Sequence, residues 1–401
     1  MPTSRHALII GGGIAGPVMA LFLQKAGISS AIYEARSSAE EAGSGLQIAP
    51  NGINVLKDIG LDGKVADAGS ITTHLSFRNS RGKRLSRIAV GDPKQHGAPA
   101  ITISRAALHR VLVSEAVQRG IPVYYDRRLV RIADQPGEPV IAHFEDGSSA
   151  QGNILIGADG VWSAVRRLAM PRAPQPHYTG LLGVGGFASI TETNRLSPEE
   201  RQTMTMTWGP SGFFGYGECK MPQGKTMMWW SNQPKEFPPT REDLKLTSQT
   251  ELRNELLAMH GGWHDPIATL IRSTEEVMHI AIYEMPSLPA WHRGRAVLIG
   301  DAAHAMATSA GQGASQAIED TIVLAKLLRD EKGPMENAFP KFEQQRRARV
   351  EKISAIARRN SDRKKTLGPF ALRVRDFFVA HLLPALAGRS WNAMYAYKID
   401  W

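Results

Sequence analysis

Three glycines near the start of the chain constrain its fold more than any other feature of the sequence. They follow the pattern G-x-G-x-x-G, at Gly11, Gly13 and Gly16, directly after a short apolar run at 7–10. The first glycine of such a pattern allows a tight turn, the second lets the backbone approach a pyrophosphate, and the third lets a helix pack close to the preceding strand. A second apolar strand pattern follows at 30–33. The segment therefore predicts a βαβ unit, whose right-handed crossover leads to a parallel sheet.

An acidic residue stands where a dinucleotide site needs one. Glu34 follows the second predicted strand, 18 residues beyond Gly16, and suits an acceptor for ribose hydroxyls. The helix predicted at 17–26 begins shortly after Ile14 and Ala15, and its free N–H groups and positive dipole end favour phosphate. The turn therefore predicts dinucleotide binding, although this motif alone does not separate FAD from NAD.

Two later segments repeat the order apolar strand, glycine, aspartate. The first reads L-I-G-A-D-G at 155–160, and the second reads V-L-I-G-D at 297–301 and continues to G-Q-G at 311–313. Ligands of open α/β sheets lie at the carboxyl ends of strands, where Asp159 and Asp301 can accept hydrogen bonds from ribityl or ribose hydroxyls. A helix that begins after the second segment would place its positive end beside a reduced flavin ring. Together the two segments favour FAD.

The composition changes in the middle of the chain, which indicates a second domain. Between about residues 170 and 284 the content of Pro, Gly, Met and aromatic residues rises, and 203–208 alternates like a half-buried strand. We therefore expect an α/β fold: a Rossmann-like FAD-binding domain with a parallel sheet, an inserted, mostly antiparallel sheet domain for the substrate, and C-terminal helices. The expected bounds are 1–72, 99–170 and 285–335 for the discontinuous FAD-binding domain, 73–98 and 171–284 for the substrate domain, and 336–401 for the C-terminal helical segment.

In their order and spacing, the three motifs resemble those of the single-component FAD-dependent aromatic hydroxylases. This family includes the p-hydroxybenzoate and salicylate hydroxylases and the tetracycline-inactivating monooxygenases. The resemblance extends from about residue 7 to residue 328. It implies cofactor contacts by Gly11, Gly13, Ile14, Ala15, Gly16, Glu34, Ala35, Arg36, Gln47, Arg105, Asp159, Gly160, Gly300, Asp301, Gly311, Gln312 and Gly313.

The resemblance also implies what several of these residues do. Asp159 would serve both FAD and NAD(P)H, and Asp301 would hold the ribityl chain. The segment 311–313 would lie against the pyrimidine side of the flavin ring. The segment 43–51 resembles the part of the family that lines the flavin, with Gln47 as a plausible contact.

The chemistry implied by the resemblance belongs to the flavin. NAD(P)H would bind transiently and reduce FAD, O2 would add at the flavin C4a position, and the hydroperoxide would transfer oxygen to an electron-rich ring. No catalytic side chain and no metal is needed. One departure is Thr308, where many relatives carry proline. Because of it, an epoxidase or an oxidase on the same fold stays open, as does a flavin-binding protein without turnover.

Aromatic and methionine side chains concentrate in the inserted domain and predict an apolar floor for a flat substrate. The alternative is an ordinary sheet core. Because strand residues alternate between faces, only one of Trp229 and Trp230 can face the pocket. The expected pocket residues are Trp208, Phe214, Tyr216, Met228 and Trp230.

The formal net charge of +10 is concentrated late in the chain, around Arg346, Arg347 and Arg349. We interpret these residues as a solvated helix face, with attraction of anionic partners such as NAD(P)H as the alternative. No nucleic-acid-binding module is visible, so nucleic acid is not an expected partner. The expected partners are a small aromatic substrate, NAD(P)H and O2.

Cysteine content and hydropathy bear on the compartment. Cys219 is the only cysteine, which excludes an internal disulfide and favours a reducing, cytoplasmic environment. No run of about 18 uninterrupted apolar residues occurs, so no membrane span is expected. For the apolar C-terminal residues we favour packing across the two domains over membrane contact.

Overall fold

The structure is a computed structural model that describes residues 5–37, 44–190, 196–197, 200–221, 224–362, 368–383 and 391–401. Gly43, the first residue of the segment expected to line the flavin, lies outside these ranges.

Strands and helices alternate in the N-terminal part of the chain, and strands dominate the middle. In the described ranges the strands are β1 (His6–Ile10), β2 (Ser29–Tyr33), β3 (Gly45–Ile48), β4 (Ser70–Thr72), β5 (His74–Asn79), β6 (Arg84–Ala89), β7 (Ala100–Ser104), β8 (Val123–Tyr124), β9 (Leu129–Ala133), β10 (Val140–Phe144), β11 (Ser149–Gly152), β12 (Ile154–Gly157), β13 (His177–Ser189), β14 (Thr203–Gly209), β15 (Gly212–Met221), β16 (Gly224–Pro234), β17 (Met278–Glu284), β18 (His292–Arg293) and β19 (Ala296–Leu298). The helices are α1 (Ala15–Lys25), α2 (Pro50–Lys57), α3 (Asp62–Ala68), α4 (Pro93–His96), α5 (Arg105–Gln118), α6 (Ala164–Ala169), α7 (Arg241–Leu246), α8 (Gln249–His260), α9 (Ile267–Ser273), α10 (Asp301–His304), α11 (Gly313–Asp330), α12 (Ala338–Asp362) and α13 (Pro369–His381), with 3-10 turns at Thr308–Ala310 and Met335–Asn337.

A six-stranded sheet carries the glycine motif, in the order β18-β19-β12-β1-β2-β8. Its strands run parallel except for the edge strand β18. The apolar run at 7–10 forms the buried central strand, because a strand covered on both faces needs no polar residues. The predicted parallel sheet is confirmed. The three strand-to-turn motifs follow β1, β12 and β19, which are neighbours, so they meet at one edge of the sheet.

A second, larger sheet has the order β17-β13-β16-β15-β14-β5-β6, and β7 attaches β3 and β4 to it through β15. Its pairs are antiparallel except for β14 with β5 and β15 with β7. The predicted, mostly antiparallel second sheet is therefore confirmed. Helices α8 and α9 cover one face of this sheet, in an apolar cluster that includes Leu256 and Ile271. Its other face is turned towards the parallel sheet.

The C-terminal helices contact both sheets' domains. Helix α12 packs on α11, and α13 packs on β6 of the large sheet.

The interpretation of the late basic residues as a solvated helix face is wrong for Arg346, which is fully buried. A carboxylate pair on α11, which sequence periodicity alone does not reveal, holds its guanidinium inside. Among the helices that the structure describes, none combines the length and apolar character needed to span a bilayer.

Candidate active site

One large cavity, of about 2630 Å³, lies between the strand-end edge of the parallel sheet and the inner face of the large sheet. Nearly all residues expected to contact the cofactor line it, including Gly13, Asp159 and Asp301 from three separate loops. Gly16 and Gly300 are the two that do not. We call the wall around Gly13, Asp159 and Asp301 the cofactor side.

The three glycines of the turn differ in how much space surrounds them. A Cβ atom at Gly16 would lie 2.0 Å from the Gly11 carbonyl oxygen, and one at Gly11 would lie 2.4 Å from the Ala158 carbonyl oxygen. A Cβ atom at Gly13 would meet nothing within 4 Å. Gly11 and Gly16 are therefore required by the packing of the protein itself. Gly13 instead leaves space on the cavity wall for the approach of a ligand.

Glu34 is held by backbone donors at the end of β2. Its Oε2 accepts a hydrogen bond from Gly12 N at 2.7 Å, and its Oε1 accepts one from Arg36 N at 2.9 Å. The Nε2 atom of buried His109 lies 2.7 Å from the Gly12 carbonyl oxygen. His109 supports the turn from α5, a contact that sequence reasoning did not identify because 97 residues separate the two positions.

The two carboxylate oxygens of Asp159 have different surroundings. Its Oδ2 accepts hydrogen bonds from Ala164 N at 2.7 Å and Val165 N at 3.0 Å, which caps α6. Its Oδ1 is buried and has no partner within the described residues. Burial raises the pKa of Asp159, and the hydrogen bonds from the backbone N–H groups of Ala164 and Val165 oppose that rise.

Arg166, next in the same motif, ties this loop to the loop after β19. The buried guanidinium donates to the Ala302 carbonyl oxygen at 2.7 Å and to the Val161 carbonyl oxygen at 2.6 Å. Asp301 itself lines the cavity with an exposed side chain. The two aspartates therefore lie on loops that are joined directly to each other.

The cofactor side fits FAD by its chemistry. Besides Asp159 Oδ1, the amide Nε2 atoms of Gln47 and Gln312 are buried on this side without partners in the described part of the chain. Buried polar atoms of this kind are costly unless a ligand satisfies them. The N-terminus of α1 opens beside Gly13, as a site for phosphates requires. Glu34 and Asp301 supply carboxylates for hydroxyl groups.

The opposite wall of the cavity is aromatic, and we call it the substrate side. Trp208, Met228 and Trp230 line it as expected, together with Phe213, which sequence reasoning did not select. The Phe213 ring centroid lies 6.0 Å from those of both Trp208 and Trp230. A Cβ atom at Gly215 would lie 2.4 Å from the Trp230 ring, so the glycine lets this indole lie across the sheet.

Phe214 and Tyr216 do not belong to the substrate side, and their assignment is corrected. Both pack on the outer face of the large sheet, under α8 and α9. Phe214 stacks on Trp229 with centroids 5.2 Å apart. The physical reason is strand alternation: Trp208 pairs with Phe213, so Phe213 and not Phe214 shares its face. Trp229 likewise faces outwards while Trp230 lines the cavity. Only one of the two neighbouring tryptophans therefore faces the cavity, as strand alternation predicts.

The C-terminal segment completes the substrate side. Val379, Trp391 and Tyr395 line the cavity, as does Arg375. The Arg375 guanidinium lies 6.0 Å from the Trp208 ring centroid and 2.7 Å from Asp376 Oδ1. No motif in the sequence marks these residues, because their position depends on how α13 packs on the large sheet.

The fold and cavity define a dinucleotide-binding protein with a parallel and a mostly antiparallel sheet. The chain belongs to the family described as "FAD binding domain", whose sequence model matches residues 5–356. The predicted resemblance and the FAD cofactor are thereby confirmed.

Individual relatives agree with this assignment. The chain is 33% identical to aurachin C monooxygenase/isomerase of Stigmatella aurantiaca, over 82% of each chain. It is 31% identical to 3-amino-4-hydroxybenzoate 2-monooxygenase of Streptomyces platensis, over 87% of this chain and 86% of the relative. The structure of Klebsiella pneumoniae HpxO complexed with FAD and uric acid has a TM-score of 0.85, at 24% identity, and covers 98% of this chain and 96% of that one. At that identity the likeness concerns the fold.

Proposed function

We propose that this protein is an FAD-dependent monooxygenase that uses NAD(P)H and O2 to hydroxylate a small aromatic compound. The observation that carries the proposal is a single cavity with three strand-end loops on one wall and a row of aromatic side chains on the other. The named monooxygenases among the relatives support the same reaction class. We infer a cytoplasmic location from the lone cysteine, Cys219.

The cofactor side would bind and orient FAD. The turn at Gly13 and the start of α1 would receive the pyrophosphate, while Glu34 and Asp301 would accept hydrogen bonds from ribose and ribityl hydroxyls. Gln47 Nε2 and Gln312 Nε2 would donate to acceptor atoms of the ring system. When bound, FAD supplies the redox and oxygen-activating chemistry.

The substrate side would orient the aromatic ring and exclude water. Trp208, Phe213 and Trp230 offer faces for stacking. The Arg375 charge is balanced by Asp376, so this wall does not favour an anionic substrate. The Trp208 Nε1 donor is buried without a partner in the described ranges and would be satisfied by a carbonyl or phenolic oxygen. We therefore propose a flat, neutral substrate that carries an oxygen acceptor.

This arrangement supports the expected division of the chain. We propose that 1–72, 99–170 and 285–335 form the FAD-binding domain, that 73–98 and 171–284 form the substrate domain, and that 336–401 forms a C-terminal helical segment.

The test is a substrate screen on the purified holoprotein. NADH or NADPH oxidation would be followed with phenols, hydroxypyridines and quinolones, with H2O2 measured alongside and products analysed by mass spectrometry. We expect at least one neutral aromatic to accelerate NAD(P)H oxidation and to gain one oxygen atom. Stoichiometric H2O2 with every compound would replace the proposal by an oxidase, and protein that carries no FAD would overturn it. The Trp230→Ala variant is the matched control for binding at the substrate side.

A further inference from the structure

Two adjacent acidic residues of α11 lie in the interior of the protein. Glu319 and Asp320 are fully buried, and so is Arg346 of α12. Arg346 bridges them, since its Nη1 donates to Glu319 Oε2 at 2.5 Å and its Nε donates to Asp320 Oδ1 at 2.8 Å. Arg349 donates from Nε and Nη2 to the Glu319 carboxylate, at 2.8 Å each. These four residues form a charge-balanced unit that we call the arginine–acid cluster.

The Asp320 branch of the arginine–acid cluster holds the loop after β19. Asp320 Oδ2 accepts a hydrogen bond from Gly300 N at 2.8 Å and lies 2.6 Å from His304 Nε2. Gly300 has a φ of +57° and directly precedes Asp301, whose side chain lines the cavity. The buried carboxylate therefore fixes the backbone from which Asp301 projects.

The Glu319 branch reaches a second loop of the cofactor side. Asn51 Nδ2 donates to Glu319 Oε1 at 2.6 Å and to Gln312 Oε1 at 3.0 Å. Because the Gln312 oxygen is held in this way, its Nε2 is left without a partner in the described part of the chain. Gln312 also lines the cavity. One cluster thus orients the residues on either side of the 3-10 turn at Thr308–Ala310.

The far end of α12 contacts that turn directly. Ser361 Oγ lies 2.7 Å from Ser309 Oγ, and Asn360 Nδ2 donates to the Ser309 carbonyl oxygen at 3.4 Å. Helix α12 is therefore joined to the cofactor side at two places, through the arginine–acid cluster in its first half and through Asn360 and Ser361 near its C-terminal end, although it lies beyond the three motifs in sequence.

The electrostatics explain how the arginine–acid cluster specifies geometry. Burial by itself would raise the pKa of Asp320, but the His304 and Arg346 charges outweigh it and the pKa is lowered. The pKa of Glu319 is also lowered, because Arg346 and Arg349 outweigh its burial. Buried ion pairs add little net stability compared with apolar packing of the same volume. Their partners are satisfied in only one arrangement, so they favour one relative placement of the elements that carry them.

We propose that Arg346 is a positioning residue for FAD, which holds the Asp301 and Gln312 loops in the arrangement that would receive the cofactor, through Asp320 and Glu319. It does not line the cavity. Besides the two acids it contacts Gln316, since its Nη2 donates to Gln316 Oε1 at 2.9 Å, and Gln316 Nε2 in turn donates to Gln312 Oε1 at 3.1 Å. The proposal rests on the FAD site and not on the identity of the aromatic substrate, so a failure of the hydroxylation assay leaves its test intact.

The test compares Arg346→Lys and Glu319→Gln with Arg358→Met, an exposed change on the same helix. A lysine keeps the charge but cannot bridge both carboxylates, since it lacks the forked geometry. By analogy with residues that support metal ligands, we expect each cluster variant to weaken FAD binding at least about tenfold. We also expect a shifted midpoint potential and visible spectrum of the bound FAD. Arg358→Met should match the wild type in all three measurements.

Thermal unfolding of the apoprotein separates positioning from folding. We expect both cluster variants to retain a cooperative transition. Folded variants with wild-type FAD affinity and potential would overturn the proposal. Loss of folding in both variants would overturn it as well, because the cluster would then be a folding requirement and not a device for placing the flavin loops.

Discussion

The two walls of the cavity are built by different means. The cofactor side is lined by glycines, backbone N–H groups and carboxylates, most of them in turns that directly follow β1, β12 and β19. The substrate side is lined by side chains from one face of β14, β15 and β16, together with side chains of the C-terminal segment. A turn is a local requirement of the backbone, whereas a sheet face depends on register. The residues of the cofactor side can therefore be predicted from residue type and spacing. On the substrate side, the strand register decides which side chains face the cavity.

The largest expected effects come from two variants of the glycine turn, one that affects folding and one that affects FAD binding. Gly16→Val should prevent folding, because its Cβ would lie 2.0 Å from a backbone oxygen. Gly13→Val should leave the apoprotein within about 0.5 kcal/mol of the wild type. Its side chain would instead occupy the cavity and weaken FAD binding by about 100-fold, or ~2.8 kcal/mol. Thermal unfolding and FAD titration measure the two effects, and full FAD binding by Gly13→Val would refute the placement of the cofactor.

A second pair of variants tests whether neighbouring tryptophans of β16 face opposite sides of the large sheet. Trp229→Ala should destabilise the protein by about 3–5 kcal/mol, since it empties a packed site in the outer core. Trp230→Ala should cost less than about 1 kcal/mol and raise the substrate KM instead. Chemical denaturation and steady-state kinetics provide the measurements. Equal stability losses in both variants would contradict the assignment of opposite faces.

Acid should weaken the substrate domain through His260. Burial lowers its pKa to about 4, and its Nε2 lies 2.9 Å from Ser231 Oγ. The unfolded chain binds a proton near pH 6.5, so unfolding takes up a proton between that pH and about 4. Stability should therefore fall as the pH decreases through this window, by up to about 3 kcal/mol. Denaturation at several pH values should give a flatter dependence for His260→Gln, and an unchanged slope would exclude this histidine as the cause.

A smaller effect separates the two aspartates of the cofactor side. Asp301→Ala should weaken FAD binding about tenfold, or ~1.4 kcal/mol, with unchanged apoprotein stability. Asp159→Ala should also lower stability, by about 1 kcal/mol, because Asp159 accepts two hydrogen bonds from the start of α6. Parallel FAD titrations and unfolding curves distinguish them. A stability loss in Asp301→Ala would contradict its role as a ligand contact.

The smallest effect concerns Thr308, which lines the cavity. The backbone of Ala307 is already extended, so Thr308→Pro fits the first position of the 3-10 turn. We expect less H2O2 for each NAD(P)H oxidised, by well under tenfold, which corresponds to less than 1.4 kcal/mol. A coupled assay with the substrate present measures this ratio. A rise in H2O2 would show that the native threonine favours hydroxylation.

Nearly all residues that the sequence selected as cofactor contacts line the cavity, and the reason lies in the backbone of the turns. Gly11 and Gly16 each satisfy a contact that any residue with a Cβ would block, and Asp159 and Asp301 follow strands that a parallel sheet must bring together. The prediction was weaker on the substrate side, where it chose Phe214 in place of Phe213. A shift of one residue reverses every side chain of a strand, and the aromatic composition is the same in either register.

By itself, then, the sequence determined the parallel sheet and the three strand-end loops, because each loop is a short segment with one workable backbone, and through the resemblance that these loops carry it pointed to FAD. Only the tertiary structure decided which aromatic side chains face the cavity, that α13 helps to close it, and that Arg346 lies buried against Glu319 and Asp320. Those outcomes depend on contacts between residues far apart in the chain. Such contacts contribute to the stability of the fold only when both partners are already in place.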